Sequence, residues 1–211
     1  MNQKTFSQVA LILVLATLSV WMLRRSSDRP KIDLNPYQAL GAIAAEETSK
    51  LLGQQGQIVI VRPDPGDDRD PVMEAQLAAF QSRLKKTGKV VVRATETVRM
   101  DSFLSMRTGG AMPPDQFLGL LKKYSDVAAF VLFIGFPALS NQEMTELKTR
   151  STKHIVVSAA IPGYEALIEQ GVLHLAIVPR TRSADQALPS AKTLREVFDQ
   201  EYVILGRDAT R

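Results

Sequence analysis

The chain has 211 residues, no cysteine, a net charge of +4 and 45% hydrophobic residues, a composition typical of one folded domain with an appendage. The lack of cysteine excludes disulfides, thiolate catalysis, cysteine-rich zinc sites and lipid attachment through cysteine. Residues 1–31 contain five basic residues and one acidic residue, which account for the whole net charge. The rest of the chain is electrically balanced, so we predict a contact with anionic lipid headgroups and no nucleic-acid partner.

The first predicted element is an uncharged apolar run over residues 6–23. As a helix its 18 residues would be about 27 Å long, close to the ~30 Å hydrocarbon core of a bilayer. Trp21 is typical of the membrane interface, and Arg24 and Arg25 come after it on the water side. Bulky residues at this position suit a signal-peptide cleavage site poorly. We therefore predict a transmembrane anchor over residues 1–25, with a cleaved signal peptide as the alternative.

The charges on either side of the apolar run favour opposite orientations. The basic residues after the run favour a domain on the cytoplasmic side. A short tail carrying Lys4 before a single apolar segment is instead typical of a signal anchor that exports the domain attached to it. We expect a single-pass protein of the inner (cytoplasmic) membrane with its domain on the periplasmic side, and the cytoplasmic side is the alternative. Residues 26–33 are predicted to be a polar tether.

From residue 34 onward, helical patterns alternate with short runs of β-branched residues. The first helix is predicted to begin near residue 35, with Asn35 as N-cap and Pro36 in the first turn. Ser140 and Glu143 have the spacing of a capping box. The stretch 99–112 is predicted to be irregular. Further helices are predicted over 71–88, 113–126, 140–153, 164–171 and 191–200, and strands over 57–63, 89–98, 128–136, 154–161, 172–179 and 201–206.

Six short strands separated by helices predict an α/β fold: a three-layer, doubly wound, mostly parallel sheet over residues 34–211, preceded by one N-terminal transmembrane helix. The segments YQALGAIAAEETSKLLGQQGQIVIVRP (37–63) and VMEAQLAAFQSRLKKTGKVVV (72–92) resemble the opening of one lobe of a type 1 periplasmic-binding protein. DVAAFVLFIGFPAL (126–139) and HLAIVPR (174–180) lie where later strands of that fold would be. The resemblance implies a small ligand held between two lobes, but this chain has length for about one lobe. No ligand residue is therefore transferred from the family.

Open α/β sheets bind ligands at the carboxyl ends of their strands. The most unusual of the predicted strand ends is 62–71, which is crowded with aspartates. Carboxylates suit calcium or magnesium, but the spacing is not that of a helix–loop–helix calcium site, and proline–aspartate clusters are ordinary turn chemistry. We predict a solvated loop here, with a partner contact and a metal or ligand site as the alternatives. The candidate ligand or partner residues at the strand ends are Asp64, Asp67, Asp68, Asn141, Arg180 and Arg182.

The sequence contains no recognisable reaction centre. It has neither a phosphate-loop pattern nor a nucleophile-elbow serine. Its two histidines, His154 and His174, lack metal-ligand spacing and are predicted to be structural. We therefore expect no catalytic residue, cofactor or metal. An anchor beside a balanced domain indicates a membrane-anchored, non-catalytic accessory or scaffold subunit, with the lipid bilayer and other membrane-protein subunits as partners. The alternatives are a solute-binding or sensing module that binds a small molecule at the strand-end loops, and an enzyme with an unrecognised site.

Overall fold

The computed structural model describes residues 32–66, 69–100, 102–157, 162–181 and 190–206, with the backbone alone for 102–104. The predicted anchor with Trp21, Arg24 and Arg25 lies outside the described residues, and so do Asp67, Asp68 and Arg182. Within the described ranges, no helix has the length and apolarity needed to cross a membrane. The described residues from Leu34 onward belong to one compact unit.

The described part of the chain contains seven helices and six strands, which alternate except that α3 is followed directly by α4. The helices are α1 (Asn35–Leu51), α2 (Pro71–Thr87), α3 (Ser102–Thr108), α4 (Pro114–Lys123), α5 (Asn141–Lys148), α6 (Tyr164–Glu169) and α7 (Leu194–Glu201). The strands are β1 (Gln55–Pro63), β2 (Lys89–Val98), β3 (Ala129–Leu132), β4 (Lys153–Val157), β5 (Leu175–Pro179) and β6 (Tyr202–Gly206).

Side-chain caps mark the starts of α2, α5 and α7. The Asp70 carboxylate accepts two backbone N–H groups at the start of α2, each at 3.0 Å, and the capping box of Ser140 and Glu143 at α5 is confirmed. The expected N-cap at Asn35 is wrong. Leu34 occupies that position without a side-chain bond, and Asn35 is the first helical residue, since Pro36 fits one position further into the first turn.

The six strands form one sheet in the order β2-β1-β3-β4-β5-β6. Every neighbouring pair is parallel except β5 and β6, which are antiparallel. The chain moves from β1 to one side for β2 and to the other side for β3, so the topological switch point lies between β1 and β3. The predicted six-stranded, mostly parallel sheet is therefore confirmed.

Helices cover both faces of the sheet because successive residues of its inner strands are apolar. Ile58 and Ile60 pack on the first face with α1, α2 and α7, where Phe80 and Phe198 are buried. The intervening Val59 and Val61 pack on the second face with α4, α5 and α6. This continuous burial on both sides is what a parallel sheet requires, and it completes the three predicted layers.

The structure departs from the predicted elements at two places near the carboxyl edge of the sheet. The stretch predicted to be irregular contains the short helix α3. The predicted strand over 128–136 is shorter, because β3 ends at Leu132, although residues 133–137 stay buried. An apolar run indicates burial, but it does not by itself distinguish a strand from a buried turn.

Candidate functional site

The switch point between β1 and β3 opens toward the carboxyl edge of the sheet, and Asp64 is the first residue beyond β1. Its backbone N–H donates to the carbonyl of Val98 on β2 at 2.9 Å. Its carboxylate accepts the N–H of Gly66 at 3.2 Å. This contact is the side-chain turn that aspartate commonly makes. It holds an exposed carboxylate at the end of the strand, with lone pairs left for a further donor.

A second segment pairs with the chain just beyond β3. Ala111 forms a parallel bridge with Gly135. The N–H of Met112 donates to the Gly135 carbonyl at 2.8 Å, and the Gly135 N–H donates to the Gly110 carbonyl at 3.1 Å. Ala111 and Met112 are buried by this pairing. The edge of the crevice is therefore built partly by the connection between β2 and α4, a contact that the sequence analysis missed.

The turn after β3 is anchored by a buried tyrosine. The backbone N–H of Phe136 donates to the Tyr164 hydroxyl oxygen at 3.2 Å. Burial raises the pKa of Tyr164, so its phenol stays neutral at physiological pH. Tyr164 begins α6, so this bond ties the turn after β3 to the helix that precedes β5. The sequence alone did not indicate that Tyr164 accepts this hydrogen bond, because a tyrosine within an apolar helix pattern is not distinctive.

Two of the helices that begin at this edge, α2 and α5, have their N-termini occupied by their own carboxylates. Asp70 caps α2, and Glu143 accepts both the N–H and the hydroxyl of Ser140 at 2.7 Å each at the start of α5. These two bonds lower the pKa of Glu143, which therefore stays charged. A helix N-terminus attracts anions, but here the positive ends already face negative groups. The ends of α2 and α5 are consequently better suited to a neutral solute than to a phosphate.

The predicted site residues within the described ranges are not all neighbours. Asp64 and Asn141 belong to the loops after two adjacent strands, β1 and β3. Asn141 is exposed as the first residue of α5, and its carbonyl accepts the Thr145 hydroxyl at 2.8 Å. Arg180 comes directly after β5 and donates its N–H to the Glu201 carbonyl at 2.8 Å. Since β5 is the third strand from β1, Arg180 lies about 14 Å from the end of β1 and contributes to a different part of the edge.

The aspartate-rich loop after β1 was weighed as a metal site. In the described ranges, no cluster of three or more histidine, aspartate or glutamate side chains is arranged to hold a metal ion. The Asp64 carboxylate accepts the N–H of Gly66 in a side-chain turn, and the Asp70 carboxylate caps α2. The turn at Asp64 is the chemistry predicted for this loop, and the cap at Asp70 is a contact that the sequence analysis did not predict.

His154 lies in the core of the second face, as expected for a structural histidine. Its side chain is 1% exposed and lies edge-on to Phe117 at 5.6 Å between ring centroids. Its Nδ1 lies 2.9 Å from the Val172 carbonyl, which can only accept, so Nδ1 carries the proton. The Nε2 atom has no partner among the described residues. Burial lowers the pKa of His154 to about 4, so it is neutral at physiological pH.

Two open grooves lie away from the carboxyl edge. One, of about 360 Å³, lies between α1 and α2, and its lining includes Ala42, Ala75, Ala78 and the charged Arg83. The other, of about 430 Å³, lies where the end of α2 meets the edge strand β2 and includes Val91. Neither groove contains a residue from the strand ends, so neither belongs to the candidate site.

The order of the parallel strands and the two covered faces define a single α/β lobe, and its fold resembles a lobe of the type 1 periplasmic-binding proteins. The resemblance predicted from the sequence is confirmed at the level of the fold by solved structures of sugar-binding proteins. One is an ABC transporter solute-binding protein from Burkholderia graminis in complex with D-arabinose, at 16% identity and a TM-score of 0.55, covering 82% of this chain and 60% of that one. An arabinose-binding protein from Geobacillus stearothermophilus has 16% identity and a TM-score of 0.51, covering 82% of this chain and 61% of its own.

A third similar structure is a chain of a XylFII–LytSN complex, with 11% identity and a TM-score of 0.52 over 82% of this chain and 60% of that one. This chain thus spans about 60% of the length of the structures it matches. No protein-family model matches the sequence. No curated protein sequence matches it either.

The interpretation as an accessory or scaffold subunit of a membrane complex is wrong. The structures that share this fold are solute-binding proteins, which favours the alternative of a solute-binding or sensing module. The comparisons also give no support to other membrane-protein subunits or the lipid bilayer as partners. The physical reason for the error is that an apolar N-terminal run indicates only how a domain is attached, and the lack of catalytic motifs indicates only which reactions are absent from the sequence pattern. Neither observation carries information about binding at the strand ends.

Proposed function

We propose that residues 34–211 form a non-catalytic solute-binding or sensing module that holds a small neutral polyhydroxyl solute, such as a sugar, at the carboxyl edge beside Asp64. The observation that carries the proposal is the likeness of the fold, over 82% of the chain, to a solute-binding protein solved with D-arabinose. A partner protein that receives the signal is the sensing form of the same proposal. It is supported by the likeness to a chain of the XylFII–LytSN complex.

The chemistry of the edge suits hydroxyl groups. The Asp64 carboxylate is exposed and accepts only one described hydrogen bond, from Gly66, so it retains lone pairs for sugar hydroxyls. A hydrogen bond to a charged acceptor contributes about 1.5–3 kcal/mol. The capping carboxylates of Asp70 and Glu143 repel anions from the neighbouring helix ends. A neutral sugar meets acceptors here without that repulsion.

The proposed setting comes from the sequence. Residues 1–25 serve as a single-pass anchor in the inner membrane, and residues 26–33 as the tether. The apolar run over 6–23, with Trp21 near its end, supports the anchor. The binding module then lies on the periplasmic side, the compartment of the periplasmic-binding proteins that its fold resembles. Removal of residues 1–25 should release the protein from membrane fractions.

The proposal is tested by thermal unfolding of the full chain in mild detergent with D-arabinose, D-xylose, D-ribose, L-glutamate and ribose 5-phosphate. A neutral pentose should raise the melting temperature, because a ligand stabilises a protein when it binds the folded state. Calorimetric titration of the same sugar should give one site per chain. Glutamate and ribose 5-phosphate should not stabilise the protein. If none of the sugars raises the melting temperature, the proposal is wrong.

Asp64→Ala should weaken binding of that sugar by about 10-fold to 100-fold, the equivalent of one hydrogen bond to a charged group. The matched control is Asp126→Ala, which removes another exposed carboxylate. Asp126 lies before β3, at the opposite, amino edge of the sheet, and is paired with Arg93 at 2.5 Å. The Asp126→Ala variant should leave the dissociation constant for the sugar unchanged. Equal weakening in both variants would contradict the placement of the solute at Asp64.

A further inference from the structure

The free edge of the sheet lies at β2, away from the candidate solute site. β2 is an outermost strand, and among the described strands it pairs with β1 alone. The N–H of Lys89 donates to the Gln54 carbonyl at 2.8 Å, so the backbone of Lys89 faces β1. Because the backbone groups of successive residues in a strand point to opposite sides, those of Val90 and Val92 face away from β1. Each of these two residues therefore offers an N–H and a carbonyl to a further strand.

The regular part of this edge is short. The pairing of β1 with β2 shifts register between Ile58 and Val59, which leaves Arg93 as an extra residue in β2. Such a β-bulge interrupts the ladder of hydrogen bonds and protects an edge from open-ended pairing. Residues 89–92 come before the bulge and keep a regular backbone. The edge is thus suited to a short extended segment rather than to a long contact between two sheets.

An apolar groove lies beside the same residues. It has a volume of about 430 Å³ and is formed by the end of α2 and the start of β2. Along it, Val91 is 59% exposed, Val92 is half-buried and Leu84 is buried. A strand added to this edge would place part of its side chains against the groove. The groove therefore favours a segment with a short run of apolar residues.

The amino end of the edge is positively charged. Three exposed lysines in the last turn of α2 and at the start of β2 form no ion pair with a described residue: Lys85, Lys86 and Lys89. The acidic residues of β2 and of the turn before β3 are already paired, Glu96 with Lys123 at 2.9 Å and Asp126 with Arg93 at 2.5 Å. The three lysines are thus left for an outside group, and carboxylates complement their charge.

A second copy of this chain is a poor occupant of the edge. Two β2 strands paired about a two-fold axis run antiparallel and bring residues 89–92 of both copies together. The lysines at the amino end of each edge would then approach the lysines of the other copy. Like charges facing each other across paired strands are destabilising. The charge therefore favours a different, acidic protein segment.

From the free backbone groups, the groove and the lysines together, we infer that residues 84–92 form a docking edge for an extended acidic segment of another protein. The segment adds to the sheet as a further strand beside β2. Its backbone bonds to Val90 and Val92, its apolar residues contact the groove, and its carboxylates lie near Lys85 and Lys89. The docking edge is independent of the proposed solute site.

The docking edge is tested with a fluorescein-labelled peptide of three valines flanked on each side by three glutamates, which permits either strand direction. Its binding to the full-length protein in a non-ionic detergent is followed by fluorescence anisotropy. The acidic peptide should bind in the micromolar range. A peptide with lysines in place of the glutamates should not bind. The acidic peptide with N-methyl groups on its three valines keeps its charge but loses its donors, and it should not bind either.

The contribution of the lysines is tested with the double variant Lys85→Gln and Lys89→Gln. It should weaken binding of the acidic peptide about 3-fold to 20-fold, because each exposed ion pair contributes only modestly. The matched control is Lys122→Gln with Lys148→Gln, which removes two exposed lysines from α4 and α5 on the second face of the sheet. The control should bind the acidic peptide as the wild-type protein does. Equal weakening in both double variants would contradict the docking edge.

Hydrogen exchange of single amides tests the backbone pairing. Without peptide, the amides of Val90 and Val92 should exchange fast, and the amide of Val91, which faces β1, should exchange slowly. Saturating acidic peptide should slow the exchange of Val90 and Val92 by about tenfold or more and leave Val91 unchanged.

Three further outcomes would overturn the docking edge. The first is that the acidic peptide does not bind, and the second is that its N-methylated form binds equally well. The third is protection of Val90 and Val92 without peptide that increases with protein concentration, which would assign the edge to a second copy. None of these outcomes affects the proposed function, because sugar binding is measured separately at the carboxyl edge.

Discussion

His154 shows how one side chain can couple the stability of this domain to pH. Its imidazole packs between Phe117 and Phe136, and Nδ1 contacts the Val172 carbonyl. Burial lowers its pKa to about 4, and the nearby positive charges of Arg150 and Lys153 act in the same direction. Against the ordinary value of 6.5, the difference corresponds to about 3 kcal/mol. Protonation in the folded state is disfavoured by that amount.

The sign of the pH effect follows from these values. Between pH 6.5 and about 4 the unfolded chain binds a proton at His154 that the folded chain does not, so stability falls as the pH is lowered through this window. His154→Asn keeps a donor for Val172 but does not titrate. The free energy of unfolding is measured in urea at pH 7.0 and at pH 4.5. Between these two pH values it should fall by about 2–3 kcal/mol more for the wild-type protein than for the variant. Equal losses would show that His154 does not titrate as its burial implies.

At the scale of elements, Gly41 makes a close contact between two helices. It lies on α1 against the backbone of α2, where a Cβ would overlap the carbonyl of Gln76. Glycine is required here by the approach of the two helices, since Gly41 does not have a positive φ. Gly119 on α4 is also helical, but it is exposed and a Cβ would meet nothing within 4 Å.

The two glycines give opposite predictions for the same substitution. Gly41→Ala should lower the free energy of unfolding by about 1–3 kcal/mol, the cost of overpacking a tight contact. Gly119→Ala should raise it by about 0.5–1 kcal/mol, because alanine is the better helix former in open space. Urea unfolding of both variants measures the difference. A Gly41→Ala protein as stable as Gly119→Ala would contradict the close approach of α1 and α2.

The elements also show where sequence patterns are informative. β2 occupies the predicted 89–98, since β-branched residues come after a helix that ends at glycine. The capping box at Ser140 is a local contact and was found from spacing alone. The structure of the connection between β2 and α4 was missed, because α3 has only seven residues and the pairing of Ala111 depends on Gly135, far away in the chain. Contacts of this kind are set by the tertiary fold, which short-range patterns do not report.

At the scale of the whole molecule, the sequence was a better guide to the fold than to the position of the candidate site. The regular alternation of helices with apolar strands is sufficient for a mostly parallel sheet. The candidate site depends on which strand ends become neighbours, and the switch point between β1 and β3 appears only in the strand order. Asp64 and Arg180 therefore looked equivalent in sequence, but β3 and β4 lie between the strands that carry them.

The central claim, that a neutral solute binds at the carboxyl edge beside Asp64, is tested most directly by amide chemical-shift mapping. Full-length protein labelled with ¹⁵N in detergent micelles is titrated with D-arabinose. The largest shifts should fall on the amides of Asp64, Gly66 and Gly135. Absence of shifts, or shifts confined to amino-edge amides such as Ala128 and Lys153, would contradict the account.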